Sequence, residues 1–327
     1  MTMPITPAVF VARRLPEPVM ARLRQQYRLT YEPGDDPPGR ELLLAGLREA
    51  DAAVCTLTER MDDETFQTAG RLRVLANYAV GFNNIDLAAA TRRGIVVTNT
   101  PDVLTDSTAD LTWALLLAVA RRVTEGHSIV QQRLWTGWAP TQLLGADVTG
   151  RTLGIIGLGR IGRAVAERAS GFRMPVLYTA RQEIIPEGHE TWRRGSLEEV
   201  LARSDFVSIH VPLSEATRHL IDVRTLSLMR RSAFLINTSR GPVVDEAALA
   251  QSLKQGLIAG AGLDVYEREP AIHHDLFGLP NVVTLPHLGS ATWHTRLRMG
   301  EICLENIDAA LNGRPAPNRV VSPDNVG

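Results

Sequence analysis

An α/β fold of two domains built on parallel sheets is what the sequence predicts, and three observations carry that prediction. Short apolar runs of strand length alternate with helix-like stretches from the first residues almost to the last. The 327 residues, 44% of them hydrophobic, are enough to bury two cores. A glycine-rich strand-to-helix turn, which normally opens a nucleotide-binding sheet, arrives only after about 150 residues. The strand series before it must therefore form a domain of its own, with the other domain inserted or appended.

In the first series, Ala8 to Ala12, Ala52 to Cys55 and Val74 to Ala76 read as strands, and the stretches near Pro18 to Gln26 and Glu41 to Glu49 as helices. Ser107 to Asp110 has the spacing of a capping box, so a long helix is expected to start there and could bridge the domains. Its apolar run, Leu111 to Ala120, is too short to span a bilayer and reads as a buried helix. Trp135 and Trp138 follow in a loop-like context, where exposed aromatics would pack on a partner subunit or cover their own domain. The second series has strands near Pro175 to Tyr178, Phe206 to His210, Ala233 to Asn237, Ala259 to Leu263 and Val282 to Leu285. Ser290 to Gly313 is helical in pattern, and the end of the chain, with Pro315, Pro317 and Pro323, is expected to run extended on the surface.

A formal net charge of −1 with dispersed Lys and Arg gives no electrostatic reason to expect nucleic acid or an acidic membrane as partner. Two cysteines, Cys55 and Cys303, imply no disulfide framework and point to a reducing cytoplasm. The first residues lack the basic-then-apolar pattern of a secretory signal. The histidines show no metal-ligand spacing, so no metal is expected; His273 and His274 read as a solvated loop pair.

Thr152 to Ala166 contains the glycine turn, a buried strand running through Gly157, Leu158, Gly159, Arg160, Ile161 and Gly162 into a helix. Gly157 permits the tight turn, Gly159 lets backbone approach a pyrophosphate, and Gly162 lets helix and strand pack closely. Phosphates then meet the helix N-terminus, where unpaired amides and the helix dipole favour anions. A carboxylate about 20 residues further on would accept a hydrogen bond from a free ribose 2′-hydroxyl. Here the strand ends instead in Thr179, Ala180, Arg181 and Gln182, and the donor fork of Arg181 suits a 2′-phosphate. NADP(H) is therefore favoured, with NAD(H) left open should Glu183 curl back to the ribose.

Three side chains follow strands of the second series: Arg240 in Asn237 to Asp245, Glu269 in Gly262 to Pro270, and His287 in Leu285 to Gly289. Ligands of open α/β sheets gather at the carboxyl ends of strands. There a guanidinium can grip a substrate carboxylate through paired hydrogen bonds, and a histidine with a carboxylate can move a proton. Singly, each has a dull reading as a solvated or structural residue; their occurrence together at three strand ends favours a reduction site.

These residues resemble the D-isomer-specific 2-hydroxyacid dehydrogenase family, most closely its glyoxylate and hydroxypyruvate reductases. The resemblance covers nearly the whole chain and includes Asn77 to Asp86, Thr98 to Asp106, the glycine turn, Ser239-Arg-Gly241, Gly262 to Pro270 and Pro286 to Ala291. It implies two Rossmann-like or flavodoxin-like domains with doubly wound parallel sheets: a substrate domain of residues 1–100 plus 290–327, and an inserted dinucleotide-binding domain of 101–289. It also implies a homodimer paired through the cofactor domains, with His287 as the acid/base, Glu269 as its carboxylate partner, Arg240 as the substrate clamp, and the amides of Val80 and Gly81 on the substrate carboxylate. Thr108, Val211, Pro212, Thr217, Thr238, Ser239, Asp264 and Gly289, together with His287, are the further implied cofactor contacts, Asp264 at the nicotinamide carboxamide.

The activity implied is NADPH-preferring reduction of small 2-oxo acids, glyoxylate to glycolate and hydroxypyruvate to D-glycerate. A carboxylate beside the histidine favours the protonated ring that such a reduction needs. Some eukaryotic members carry a further tryptophan after the Trp-x-Pro segment, whereas Trp138-Ala-Pro140 is followed here by Thr141 and Gln142; this departure leaves the choice between the two substrates open. The alternatives are a reductase of a bulkier 2-oxo acid such as 2-keto-gluconate, an NAD-linked phosphoglycerate dehydrogenase, and, in a different class, a dinucleotide-sensing binding protein like the C-terminal-binding corepressors. The missing carboxylate after Tyr178 weighs against the phosphoglycerate enzyme, and Glu269, where formate dehydrogenases have glutamine, weighs against those.

Overall fold

The computed structural model describes residues 6–31, 33–182, 188 and 191–320. The chain divides into two compact units, Met1–Leu104 with Ala291–Gly327, and Thr105–Ser290. The seam falls a few residues later than 100 because Val103 and Leu104 pack against the core of the first unit.

The first unit opens with β1 (Ala8–Val11), α1 (Glu17–Gln26), β2 (Arg28–Leu29), α2 (Arg40–Arg48), β3 (Ala52–Cys55), α3 (Asp63–Thr68), β4 (Val74–Asn77), α4 (Leu87–Arg92) and β5 (Val96–Thr98). Its strands form a parallel sheet in the order β2-β1-β3-β4-β5, a doubly wound topology. Val9 and Val11 enter one core cluster, Phe10 and Ala12 the other. Alternate side chains of a strand face opposite sides, and with both faces covered the strand reads as one unbroken apolar run. Asp62 and Asp86 cap α3 and α4, accepting the amides of Thr65 and Ala89.

The second unit contains α5 (Thr105–Ala120), α6 (Val123–Gln131), β6 (Leu153–Ile156), α7 (Arg160–Arg168), β7 (Val176–Thr179), β8 (Arg193–Arg194), α8 (Leu197–Arg203), β9 (Phe206–Ile209), α9 (Val223–Ser227), β10 (Phe234–Asn237), α10 (Glu246–Lys254), β11 (Gly260–Leu263) and β12 (Val282–Thr284). Its parallel sheet runs β12-β11-β10-β9-β6-β7-β8, which places β6 and the turn after it where the strand order reverses. The last helix, α11 (Trp293–Leu311), belongs to the first unit, where Met299, Cys303 and Ile307, spaced by four, face its core. Gly300 allows the close approach of α1, since a Cβ there would lie 2.6 Å from Val19 Cγ2.

The expected capping box at Ser107 is not formed. The helix starts earlier, at Thr105, and Ser107 is buried within its first turns. Asp106 and Asp110 instead accept from the Arg168 guanidinium at 3.0 and 2.8 Å. From its first residue α5 is part of the second unit, and its apolar run is buried against α7, β10 and β11. Trp113 anchors it, donating from Nε1 to Val165 O at 3.0 Å and stacking on Phe172.

Both cysteines are buried free thiols. No helix among the described residues is long and apolar enough to cross a membrane. Asn318 to Val320 run back beside β5, Thr98 bridging Arg319; Pro323 and Glu183 lie outside the described residues. In α6 no residue is buried, and Val123, Val130, Leu134, Trp135 and Trp138 are exposed, Trp138 to 81%.

Candidate active site

The three glycines between β6 and α7 do three different things. Gly157 has φ of 98°, and a Cβ on it would meet the His210 carbonyl at 2.9 Å and Val211 Cγ1 at 2.8 Å. Gly162 leaves no room at all, since a Cβ there would lie 2.1 Å from Gly157 O. Gly159 has nothing within 4 Å of where a Cβ would be, and no side chain caps the helix it precedes. Open space thus lies before first-turn amides that lack intrahelical acceptors, a fitting cradle for an anionic dinucleotide. Leu158 is buried and Ile161 packs on the same core, so both offer only backbone to that space.

His210 backs this turn. Its amide donates to Ile156 O at 2.7 Å and its Nε2 pairs with Ser208 Oγ at 2.8 Å. Burial of the ring pushes it down to about 3, so it is neutral. Beyond Val211, Thr217 closes its own loop, donating to Pro212 O at 2.6 Å and accepting the Ser214 amide at 2.8 Å.

Arg240 follows β10 in a turn organised by buried Asn237. Its Oδ1 accepts from Ser239 N at 3.0 Å and Ser239 Oγ at 2.8 Å, while its Nδ2 donates to Arg240 O at 3.1 Å. Thr238 is tied to Thr112 of α5 through their hydroxyls, 2.8 Å apart. Arg240 Nη1 donates to Ser239 O at 2.7 Å. Burial lowers its pKa, and the charge of Glu269 acts against that. Gly241 lets the turn press on the loop after β11, because a Cβ there would lie 1.8 Å from the Tyr266 carbonyl carbon.

That loop carries Glu269. Its Oε1 accepts the Tyr266 amide at 3.1 Å and its Oε2 pairs with His287 Nδ1 at 2.8 Å. Burial alone would raise the Glu269 carboxyl; the hydrogen bond and charge of His287, with the Tyr266 amide and Arg240, hold it below its ordinary value. With Nδ1 given to the carboxylate, Nε2 of His287 has no protein partner among the described residues.

His287 itself has φ of 56°, and its amide donates to Asp264 O at 3.0 Å. Buried Asp264 accepts the amides of Leu288 at 2.6 Å and Gly289 at 2.8 Å on its two oxygens. Desolvation raises its carboxyl, those two amides opposing the shift. Thr108 Oγ1 donates to Gly289 O at 3.1 Å, which pins the far end of the same loop.

Glu246, buried at the start of α10, is a further part of this framework that the sequence did not single out. One carboxylate oxygen accepts the Glu267 amide and the other the His273 amide, so it holds both ends of the loop that carries Glu269. The His273 and His274 rings stack as a pair in this loop, centroids 4.7 Å apart, and His273 Nδ1 accepts the Asp275 amide at 3.4 Å. In the sequence Glu246 looks like any first-turn helix acid; only its position after Asn237 to Asp245 hinted at more.

Val80 and Gly81 lie in the first unit, after β4. Asn99 Nδ2 donates to Val80 O and Asn77 Nδ2 to Gly81 O, each at 2.8 Å. Both carbonyls are thereby engaged, and neither amide donates to a protein acceptor among the described residues. Two uncommitted adjacent amides suit a carboxylate.

Comparison with known proteins identifies the family. Residues 113–289 match the family model described as D-isomer specific 2-hydroxyacid dehydrogenase, NAD binding domain. The chain is 49% identical over 320 residues to a glyoxylate reductase of Thermococcus gammatolerans, covering 96% of each. Among solved structures, a protein of Thermus thermophilus superposes with a TM-score of 0.91 at 45% identity, covering 96% of this chain and 100% of that one. An NADPH-dependent glyoxylate/hydroxypyruvate reductase of Sinorhizobium meliloti, solved with NADP and malonate, superposes at 0.86 with 32% identity, covering 97% of each. The chain belongs to the D-isomer-specific 2-hydroxyacid dehydrogenase family, and is an NAD(P)-dependent oxidoreductase.

Proposed function

We propose that this enzyme reduces small 2-oxo acids with a preference for NADPH, converting glyoxylate to glycolate and hydroxypyruvate to D-glycerate. The observation that carries the reading is the His287–Glu269 pair, with Arg240 on the neighbouring strand end. Glyoxylate reductases nearly half identical over 96% of the chain support the substrate class, and the exposed Arg181 after β7 supports NADPH.

The glycine turn and the first turn of α7 would hold the dinucleotide, which when bound supplies the hydride for the keto carbon. Arg240 grips and orients the substrate carboxylate, assisted by the amides of Val80 and Gly81. Protonated His287 gives the proton on Nε2 to the oxygen that becomes the hydroxyl. Glu269 keeps the ring oriented through Nδ1 and stabilises its charge until that proton leaves. Asp264 would accept a hydrogen bond from the nicotinamide carboxamide, while its hold on the Leu288 and Gly289 amides steadies the His287 loop.

The protein acts in the cytoplasm, where free buried thiols persist, and as a homodimer. The exposed apolar residues of α6 and the Trp135 to Trp138 loop are the surface that a second copy would cover. Sedimentation equilibrium tests this: a monomer at micromolar concentration overturns it.

Steady-state oxidation of NADPH and NADH with glyoxylate, hydroxypyruvate, pyruvate and 2-keto-gluconate tests the activity. The highest kcat/KM is expected with NADPH and one of the first two acids. Higher values with NADH would remove the cofactor preference, and higher values with 2-keto-gluconate would replace the substrate.

A further inference from the structure

β8 ends on an arginine that the chemistry above leaves unused. Arg194 is in register with Tyr178 of β7, so its backbone stands beside the last residues of the neighbouring strand. Its Nη2 donates to Ala180 O at 2.9 Å and to Arg181 O at 3.2 Å. One nitrogen of the guanidinium is thus fixed to the very turn that presents Arg181. A guanidinium carries five N–H donors, and those on Nη1 and Nε have no acceptor among the described residues.

Arg181 and Arg194 are both exposed, and neither forms an ion pair among the described residues. Two arginines therefore follow or end adjacent parallel strands at their carboxyl ends, on the side of the sheet next to β6, where such sheets receive a dinucleotide. The two carbonyls engage a single nitrogen of Arg194, which leaves the rest of its fork available next to the turn that carries Arg181. A dianion between the two would satisfy both.

We infer that Arg194 is a specificity-determining residue that acts with Arg181 on the 2′-phosphate of the cofactor. It holds the Arg181 turn by its carbonyls and donates its remaining N–H groups to the phosphate. The inference rests on the NADPH-preferring reading.

Equilibrium binding to the purified full-length protein, followed by calorimetry, tests it with adenosine 2′,5′-bisphosphate and adenosine 5′-monophosphate as probes. Arg194→Met keeps the aliphatic stem and removes every donor; Arg194→Lys keeps the charge and loses the fork. The methionine variant is expected to bind the bisphosphate about tenfold more weakly and the monophosphate within about twofold of the parent, with the lysine variant in between. Should the methionine variant not fold, a selective loss of bisphosphate affinity in Arg194→Lys decides the matter alone. Equal effects on both probes, or none, overturn the assignment and leave Arg194 a carbonyl cap. A parent protein that does not prefer the bisphosphate overturns the NADPH reading, and the role of Arg194 with it; a parent that does, beside unaffected variants, overturns only the latter.

Discussion

Glu269 holds the His287 ring at 2.8 Å through one carboxylate oxygen while its other oxygen is taken by the Tyr266 amide. The carboxylate is therefore fixed at both ends, and its lowered pKa keeps it ionised down to pH values below the ordinary 4.5. For a depressed carboxyl the sign is clear: its support is complete above the ordinary value and is lost as pH falls through the lower, folded one. Glu269→Gln removes the charge at every pH. Turnover with glyoxylate should fall roughly 10- to 100-fold, from a charge-assisted hydrogen bond of about 1.5–3 kcal/mol, and the loss of turnover that protonation of Glu269 causes at acid pH in the parent should be absent from the variant. The same acid limb in parent and variant in stopped-flow measurements would show that the charge of Glu269 plays no part in turnover.

Arg240→Gln keeps a donor at the same turn but loses the fork. Its kcat/KM for the oxo acid should drop about 10- to 100-fold, with the dinucleotide dissociation constant unchanged within about twofold. A loss confined to dinucleotide affinity would relocate Arg240 from substrate to cofactor.

Gly159 and Gly162 differ in what surrounds them, and alanine should separate them. At Gly162 the new Cβ would meet Gly157 O at 2.1 Å, so Gly162→Ala should destabilise the protein by about 1–3 kcal/mol, seen as a lower Tm without ligand. At Gly159 nothing lies within 4 Å; Gly159→Ala should keep the parent Tm and weaken dinucleotide binding. Identical behaviour of the two variants would mean that the space before α7 is not where the dinucleotide sits.

His210 should make stability depend on pH. Its folded value of about 3 lies below the ordinary 6.5 because burial disfavours the charged ring. Unfolding takes up a proton between those values, so stability is complete above pH 6.5 and declines as pH falls toward 3, by at most about 1.4 kcal/mol per unit from this group. Urea unfolding from pH 7.5 to 5 should show the decline in the parent and a flatter curve in His210→Gln. Parallel curves would mean that the ring is solvated.

The parts legible in the sequence were those with a local chemical signature. Strands buried on both faces are unbroken apolar runs, as at Ala8–Val11 and Leu153–Ile156, and a glycine turn announces itself by composition. Arg240, Glu269 and His287 stood out because each follows such a run. What stayed hidden depends on partners distant in sequence. β2 and β8 are two-residue edges, Arg28–Leu29 and Arg193–Arg194, whose strand character comes from backbone pairing alone. Ser107 had the spacing of a cap, yet Arg168, far along the chain, claims the nearby acids. Glu246 gives no local sign that it binds amides of another loop.

The clamp formed by Glu246 sets a rule for how this enzyme can diversify. A single rigid carboxylate gripping the amides of Glu267 and His273 measures the chain between them. Residues within that span other than Glu269 are free to vary in kind, but an insertion or deletion there would pull one amide off its oxygen and carry Glu269 out of reach of its histidine. New substrate preferences in a descendant of this protein should therefore arise from loops of variable length elsewhere, while this one keeps its residue count.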